Sequence, residues 1–315
     1  MTASTRIDEF ERLRPHLLSV AYRLTGTVAD AEDMVQDAWL RWNTADAESI
    51  ADLQAWLTTV VSRLSLDRLR SAAHRRETYV GQWLPEPVVT GLDRDDPLAA
   101  VVAGEDARFA AMVVLERLRP DQRVAFVLHD GFAVPFGEIA DVLGVSEAAA
   151  RQLASRARRA VADAPPPVAD HEHNQVAGAL MAALAAGDME AVVRLLHPDV
   201  TFTGDSNRKA PTAPRVIHGP EKVARFLFGL ARRYGPGWLE ANQPALVNGQ
   251  LGTYTVGTTP VEGRPAVTPR VTAMTVCEGR VCAIWDIANP DKFTGSPLRP
   301  SSPPSPTAPG TRHRS

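Results

Sequence analysis

From Ile7 to about Ala162 the apolar positions recur three and four residues apart, with few runs of alternating β-branched residues. That period predicts a helical first half. It fails at YVGQWLPEPVVTGLDRDD, Tyr79 to Asp96, where prolines, glycines and acids leave no helical face. Two helical units flanking a non-helical linker are expected. A second break, ADAPPPVAD from Ala162 to Asp170, holds three consecutive prolines and predicts an extended, semi-rigid spacer. Beyond it VAGALMAALAAGD, MEAVVRLLH and EKVARFLFGLARRYG keep the helical period, whereas DVTFT, ALVNGQLGTYTVG and PRVTAMTVCEGRVCAIWDI alternate as strands do. Asn248-Gly249 is a strong hairpin turn signal. The third unit is therefore predicted as α+β, a curved antiparallel sheet covered by helices. From Ser296 the chain is rich in proline, serine and glycine, which predicts a disordered tail.

Composition agrees with several soluble domains: 315 residues, 44% hydrophobic and 23% charged, suggest two or three cores. No apolar run approaches the roughly 18 residues of a membrane span. The start, MTASTRIDEFERLRPH, is charged throughout and lacks an apolar segment ahead of a cleavage site. A cytoplasmic protein without a membrane partner is expected. Cys277 and Cys282 flank Glu278-Gly279, a predicted hairpin turn that would put both sulfurs on one sheet face. A redox pair is conceivable, but two apolar cysteines packed in a reduced core is the expected arrangement.

Net charge is only −3, yet charge is distributed unevenly. EIADVLGVSEAAARQLASRARRA, Glu138 to Ala160, reads as helix, tight turn and second helix. Ala140 permits a close helix crossing, Gly144 supplies a left-handed turn residue, and Ser146 can cap the next helix. Ala150, Leu153 and Ala157 then point inward and Glu147, Ala148, Arg151, Gln152 and Ser155 outward, toward base edges in a major groove. Arg156, Arg158 and Arg159 are better placed for phosphates. Residues 151 to 159 contain four arginines and no acid, a local positive end that an ordinary helical hairpin does not require.

Two further stretches carry patterned charge. TVADAEDMVQDAWLRW, Thr27 to Trp42, puts Asp33, Gln36 and Asp37 on one helical face, with Val35, Ala38 and Trp39 turned partly inward. The stripe suits either a basic helical partner or a solvated face. AWLTTVVSRLSLDRLRSAAHRRE follows with Arg63, Arg68, Arg70, Arg75 and Arg76 against Asp67. Two basic elements in separate helical units suggest contact with DNA at two places. Trp56 at the start of this helix is expected in the core and is given no role.

In order, DAEDMVQDAWLRW, AWLTTVVSRLSLDRLR, LRPDQRVAFVLHDGF and FGEIADVLGVSEAAARQLASRARRA resemble regions 2 and 4 of the bacterial extracytoplasmic-function (ECF) RNA polymerase sigma factors. YVGQWLPEPV and NPDKF are similar to the subgroup with a fused SnoaL-like domain of the NTF2-like fold. The resemblance implies a multidomain chain: two all-α sigma units, the second a helix-turn-helix, and then an α+β cone domain. The corresponding boundaries are 5–78 for region 2, 79–104 for a linker, 105–162 for region 4, 163–170 for the proline spacer, 171–295 for the cone and 296–315 for the tail.

It also implies roles. Asp33, Gln36 and Asp37 would bind the clamp helices of the polymerase β′ subunit. The loop Asn43 to Gln54 and the arginine-bearing helix after it would open the −10 element and hold the single strand. The helix-turn-helix would read the −35 element as duplex. Partners would be core polymerase, through the β′ clamp helices and the β flap, and promoter DNA. No cofactor is demanded. In the subgroup the fused domain serves as a built-in regulator, with WLPEP and NPDKF implicated. Here these are Trp83, Leu84, Pro85, Glu86 and Pro87, and Asn289, Pro290, Asp291, Lys292 and Phe293, so an intramolecular contact between cone and sigma units is expected. Where the subgroup has DGDGGGK, this chain has TGDSNRK, Thr203 to Lys209. Asp205 and Lys209 match in kind, whereas the lost glycines are expected to alter any contact made by a loop that needs left-handed angles.

The cone itself is open to other readings. His197, Asp199, Asp205, His218 and Asp286 are candidate acids and bases, but no spacing among them defines a mechanism, and no enzyme activity is expected. His171 and His173 are read as solvated rather than as metal ligands. An alternative for the chain is a ligand-responsive helix-turn-helix regulator acting without core polymerase, or a SnoaL-like enzyme fused to a DNA-binding module.

Overall fold

A computed structural model describes residues 3–76, 79–92, 97–162, 166, 168–260 and 263–293. The tail expected from Ser296, residues 163–165 and 167 of the spacer, and the side chains of Arg75 and Arg76 lie outside the described residues.

Three helices begin the chain: α1 (Ala3–Thr25), α2 (Val28–Thr44) and α3 (Leu53–Arg76). Gly26, at φ +77°, turns α1 into α2, and Thr27 caps α2 by accepting from the Asp30 N–H at 3.2 Å. The second unit comprises α4 (Phe109–Leu115), α5 (Pro120–Phe126), a π-helical turn over Val127–Gly131, α6 (Phe136–Leu143) and α7 (Glu147–Val161). Both units bury their apolar faces in one continuous cluster, which includes Leu17, Val35 and Leu57 from the first and Met112, Val124, Ile139 and Ala150 from the second. Trp56 lies half-buried against that cluster beside Trp42.

The third unit is α8 (Asp170–Ala186), α9 (Met189–Leu195), β2 (Leu196–Asp205), β3 (Ile217–His218), α10 (Pro220–Tyr234), α11 (Pro236–Ala241), β4 (Gln243–Val247), β5 (Gln250–Thr255), β6 (Arg270–Cys277) and β7 (Arg280–Ile287). Two features differ from expectation. The sheet is mixed, because β2 runs parallel to β7; the helices and strands between them in sequence give the chain length to return in the same direction. The sheet order is β1-β4-β5-β6-β7-β2-β3, and its first strand, β1 (Val89–Thr90), comes from the expected linker. Val89 pairs with Val247 and Thr90 with Leu246, so the linker closes the sheet edge that β4 would otherwise expose.

Alternation along the strands gives the sheet two faces. Leu180, Val192, Phe202, Leu227, Met274 and Ile284 pack together beneath α8 to α10. Leu84, Val89, Phe109, Val271, Trp285, Ile287 and Phe293 form a separate cluster. Linker, region 4 and cone therefore share one core, with the Phe109 and Trp285 rings 5.5 Å apart.

The Asn248-Gly249 turn is as expected, with φ of +50° and +80° and Val247 paired to Gln250. Cys277 and Cys282 are free thiols at the β6–β7 hairpin, half-buried and outside the apolar clusters of the domain. A register shift between Thr275 and Val276 accompanies them, and burial together with the neighbouring Cys277 pushes the Cys282 thiol above its ordinary range.

Candidate functional site

The helix-turn-helix has the local chemistry its sequence predicts. Gly144 ends α6 at φ +68°, and Ser146 accepts from the Ala149 N–H at 3.3 Å to start α7. Ala150, Ala154 and Ala157 are buried. Leu153 and Ser155 are half-buried, so the inward stripe follows the three-four spacing through Ala154 rather than Leu153. Glu147, Ala148, Arg151, Gln152, Arg156, Arg158 and Arg159 are exposed. Arg151 pairs with Glu147 and lies 4.8 Å over the Phe136 ring, which orients its guanidinium along the outer face. Arg158 pairs with Asp130 at 2.7 Å.

In the first unit Asp33, Gln36 and Asp37 are exposed on α2, whereas Met34, Val35 and Ala38 are buried. Three arginines of α3, Arg63, Arg68 and Arg70, are turned toward protein groups. Arg63 donates to the Asp141 carbonyl at 2.9 Å, Arg68 to Asp30 at 2.8 Å and Arg70 to Asp121 at 3.1 Å. Asp121 and Asp141 belong to region 4, so the expected −10 strip and the −35 unit are packed together. Deeper in the same boundary, buried Arg23 pairs with Asp106 at 2.7 Å, and Arg123 donates to the Arg23 carbonyl at 3.0 Å.

The linker and the two cone motifs meet at one carboxylate. Asp205 is completely buried. It accepts from the Leu84 N–H at 2.8 Å and from Lys292 Nζ at 2.6 Å, and also takes a hydrogen bond from the Tyr79 hydroxyl. Lys292, 4% exposed, also donates to the Leu84 carbonyl and lies 3.7 Å from the Trp83 ring centroid. Asn289 donates to the Tyr79 hydroxyl at 3.0 Å. Burial, with the Asp205 carboxylate beside it, holds the Tyr79 phenol well above its ordinary range. Lys209 pairs with Asp291 at the surface.

The lost glycines do not abolish the loop's left-handed turn. Asn207 and Arg208 adopt φ of +47° and +59°, and the Asn207 side chain accepts from the Val80 N–H at 3.2 Å. Asparagine tolerates that region at modest cost. The loop thus takes left-handed angles without glycine, and Asn207 contacts the linker.

A second polar junction was not read from the sequence. Asn248 is 1% exposed, and its side chain accepts from the Val88 N–H at 3.1 Å and donates at 2.8 Å both to the Tyr22 hydroxyl and to the Ala107 carbonyl. One hairpin residue of the cone therefore reaches α1, the linker and the approach to α4. Tyr22 in turn donates to the Glu86 carbonyl at 2.8 Å, and burial raises its phenol pKa. Buried Glu86 accepts from the Val28 N–H at 2.8 Å, so the linker's acid caps the N-terminus of α2. A signal did exist for Asn248, since Asn-Gly marks the turn, but the turn rule assigns no task to the side chain.

The acid-base candidates do not converge. His197 approaches Glu278 at 3.7 Å at the surface and accepts from the Asp199 N–H at 3.1 Å, while His218 is exposed on β3. Asp205 is occupied by the linker, and Asp286 lines a cavity beside Arg270. His171 is exposed, but His173 is buried rather than solvated, with Nε2 3.1 Å from the Met274 carbonyl. The periodicity of α8 turns it toward the sheet. Among the described residues no group of three His, Cys, Asp or Glu side chains is arranged to hold a metal, and no helix is long and apolar enough to cross a membrane.

Residues 10–75 match Sigma-70 region 2, residues 108–161 match Sigma-70, region 4, and residues 177–289 match the SnoaL-like domain. The chain is 71% identical over 311 residues to the ECF RNA polymerase sigma factor SigJ of Mycobacterium tuberculosis, covering 98% of this chain and 99% of that protein. A probable ECF RNA polymerase sigma factor of the same species, SigI, is 34% identical over 67% of this chain and 71% of its own length. The crystal structure of Mycobacterium tuberculosis SigJ superposes with a TM-score of 0.83 at 70% identity, over 93% of this chain and 99% of that one. With promoter-type helical units in family order and a SnoaL-like domain behind them, the chain belongs to the ECF RNA polymerase sigma factors.

Proposed function

We propose that this sigma factor acts in the cytoplasm, is not an enzyme, and is controlled in cis by its SnoaL-like domain through the linker. Asp33, Gln36 and Asp37 on α2 meet the polymerase β′ clamp helices. Arg63, Arg68, Arg70, Arg75 and Arg76 on α3 serve the −10 element. Glu147, Ala148, Arg151, Gln152 and Ser155 on α7 read the −35 element, with Arg156, Arg158 and Arg159 on phosphates. The β flap is the partner expected for region 4.

The observation that carries the regulatory part is the buried Asp205, which ties Tyr79, Leu84 and Lys292 together, while Glu86 of the same linker caps α2. A change in the cone's grip on the linker is thereby passed to the helix assigned to polymerase. Packing of α3 on region 4 supports a resting state. Elements named −10 and −35 lie 25 base pairs apart, about 85 Å along a duplex. With α3 held against α5 and α6 of the unit that carries α7, the two cannot reach both elements, so Arg63 and Arg70 must leave Asp141 and Asp121 for productive binding.

The test is transcription in vitro with core RNA polymerase on the chain's own upstream region. Truncation after Asp170 would remove the β1 partner and expose Leu84, Val89 and Phe109, so point substitutions are cleaner. Asp205→Asn is expected to change transcript amount at least threefold at an unchanged start site. An unchanged amount would remove control through this junction and leave the sigma function standing. Arg151→Ala is expected to reduce −35-dependent output about fivefold or more, within the roughly 1–3 kcal/mol of a base contact. Equal output and unaltered promoter choice would displace Arg151 from that role.

A further inference from the structure

Arg151 and its ion-pair partner Glu147 are exposed on α7, at 60% and 51% of their side chains. A pair so open to water adds little by itself, and an arginine side chain left free samples many rotamers that it must give up on binding. The structure gives Arg151 a second hold. Its guanidinium lies 4.8 Å over the ring of Phe136, the first residue of α6. Such stacking occupies the flat face of the cation, while the N–H donors point outward in its plane.

Phe136 is itself fixed from behind. The His129 ring stacks on it, with centroids 3.9 Å apart and planes 29° from parallel. His129 belongs to the π-helical turn over Val127–Gly131, and its Nδ1 donates to the Val134 carbonyl at 3.2 Å. The chain between the two rings doubles back tightly. The Ala133 N–H donates to the His129 carbonyl at 3.1 Å, and the Val134 N–H to the Leu128 carbonyl at 2.9 Å. Ala133 takes φ of +53° in this return, an angle unfavourable for a residue with a Cβ and kept only where the surroundings impose it. Asp130, in the same turn, holds Arg158 through both carboxylate oxygens, at 2.7 and 3.1 Å. One turn thus reaches two arginines of α7, Arg158 directly and Arg151 through Phe136.

We propose that Phe136, backed by His129, is a positioning residue for promoter recognition: its ring presets the guanidinium plane of Arg151, so that less side-chain freedom is lost when the arginine meets a base edge. The proposal rests on the assignment of Arg151 to the −35 element, and it places part of that arginine's selectivity in residues outside α7. A ringless apolar side chain at 136 would fill similar space and leave the guanidinium unset.

The test is transcription by the full chain with core RNA polymerase, scored as discrimination, the output from an intact −35 element divided by that from a singly substituted one. The informative base pair is the one at which the unaltered chain discriminates and Arg151→Ala does not. There, Phe136→Leu is expected to lower the ratio about threefold and His129→Leu about twofold, whereas Phe136→Tyr, which keeps the ring, retains it. In an Arg151→Ala background, Phe136→Leu is expected to leave output from the intact promoter unchanged. Circular dichroism checks the fold of each variant. Discrimination unchanged in Phe136→Leu, or an equal drop in output with Arg151 already removed, would overturn the positioning role and leave Arg151 on the promoter. If Arg151→Ala discriminates as the unaltered chain does at every −35 position, the assignment itself falls and the positioning role falls with it.

Discussion

Among the described residues the SnoaL-like domain contains two buried ion pairs, and their surroundings differ more than their chemistry. Lys292–Asp205 is closed over by Tyr79, Trp83 and Leu84, residues more than a hundred positions earlier in the chain. Arg270–Asp286, equally buried, borders a cavity. A carboxylate that has lost its cation can recruit water beside open space, but has no such recourse where protein seals it. The sealed pair is thus suited to hold the linker, whereas the other can recruit water.

The largest expected effect follows from that contrast. Lys292→Met should cost about 3–5 kcal/mol in urea unfolding, because Asp205 is left charged and sealed. Arg270→Met should cost less, about 1–3 kcal/mol, with Thr212 still bonded to Asp286. Equal losses would mean that the cavity gives Asp286 no relief. Next comes the neutral junction: Asn248→Gly keeps the left-handed turn but removes three hydrogen bonds, for a loss of about 2–4 kcal/mol. Asn248→Ala should lose up to about 1 kcal/mol more through its backbone. If Asn248→Gly were neutral, the side chain would be incidental to joining α1, linker and α4.

Tyr22→Phe removes the donor to the Glu86 carbonyl and the acceptor for Asn248, and should cost about 1–2 kcal/mol. Limited proteolysis should then cut the linker faster near Glu86; an unaltered rate would separate Tyr22 from linker attachment. The smallest change is expected at Ser146→Ala, about 1 kcal/mol, confined to the first turn of α7. Hydrogen exchange should quicken at Ala149 with the Asp205 junction unaffected. Faster exchange at Leu84 as well would show that the helix-turn-helix and the sealed pair are coupled.

The helical halves, both hairpins and the caps were legible because each depends on neighbours within a few residues. Ser146 and Gly144 need only the adjacent turn, and Asn248-Gly249 only the strands it joins. Val89-Thr90 was not legible as a strand: two residues among prolines show no alternation, and their partner Val247 is remote in sequence. His173 misled because its chain position at a linker edge said nothing of the sheet packed over α8. The resemblance did bring Asp205, Trp83, Leu84 and Lys292 forward as a group, while Asn248 and Tyr22 carried no mark of their joint position.

Periodicity, turn chemistry and charge clustering thus suffice to define three units in order, with a helix-turn-helix that ends in arginines and an acidic-polar α2 face. Those properties are settled over three or four residues at a time, where backbone sterics and local hydrogen bonds dominate. Which carboxylate is sealed and which borders a cavity, and which asparagine joins three segments, follow from burial instead. Burial is set by whatever distant chain arrives to exclude water, so Asp205 and Asp286, alike in sequence, acquire their different surroundings only in the folded protein.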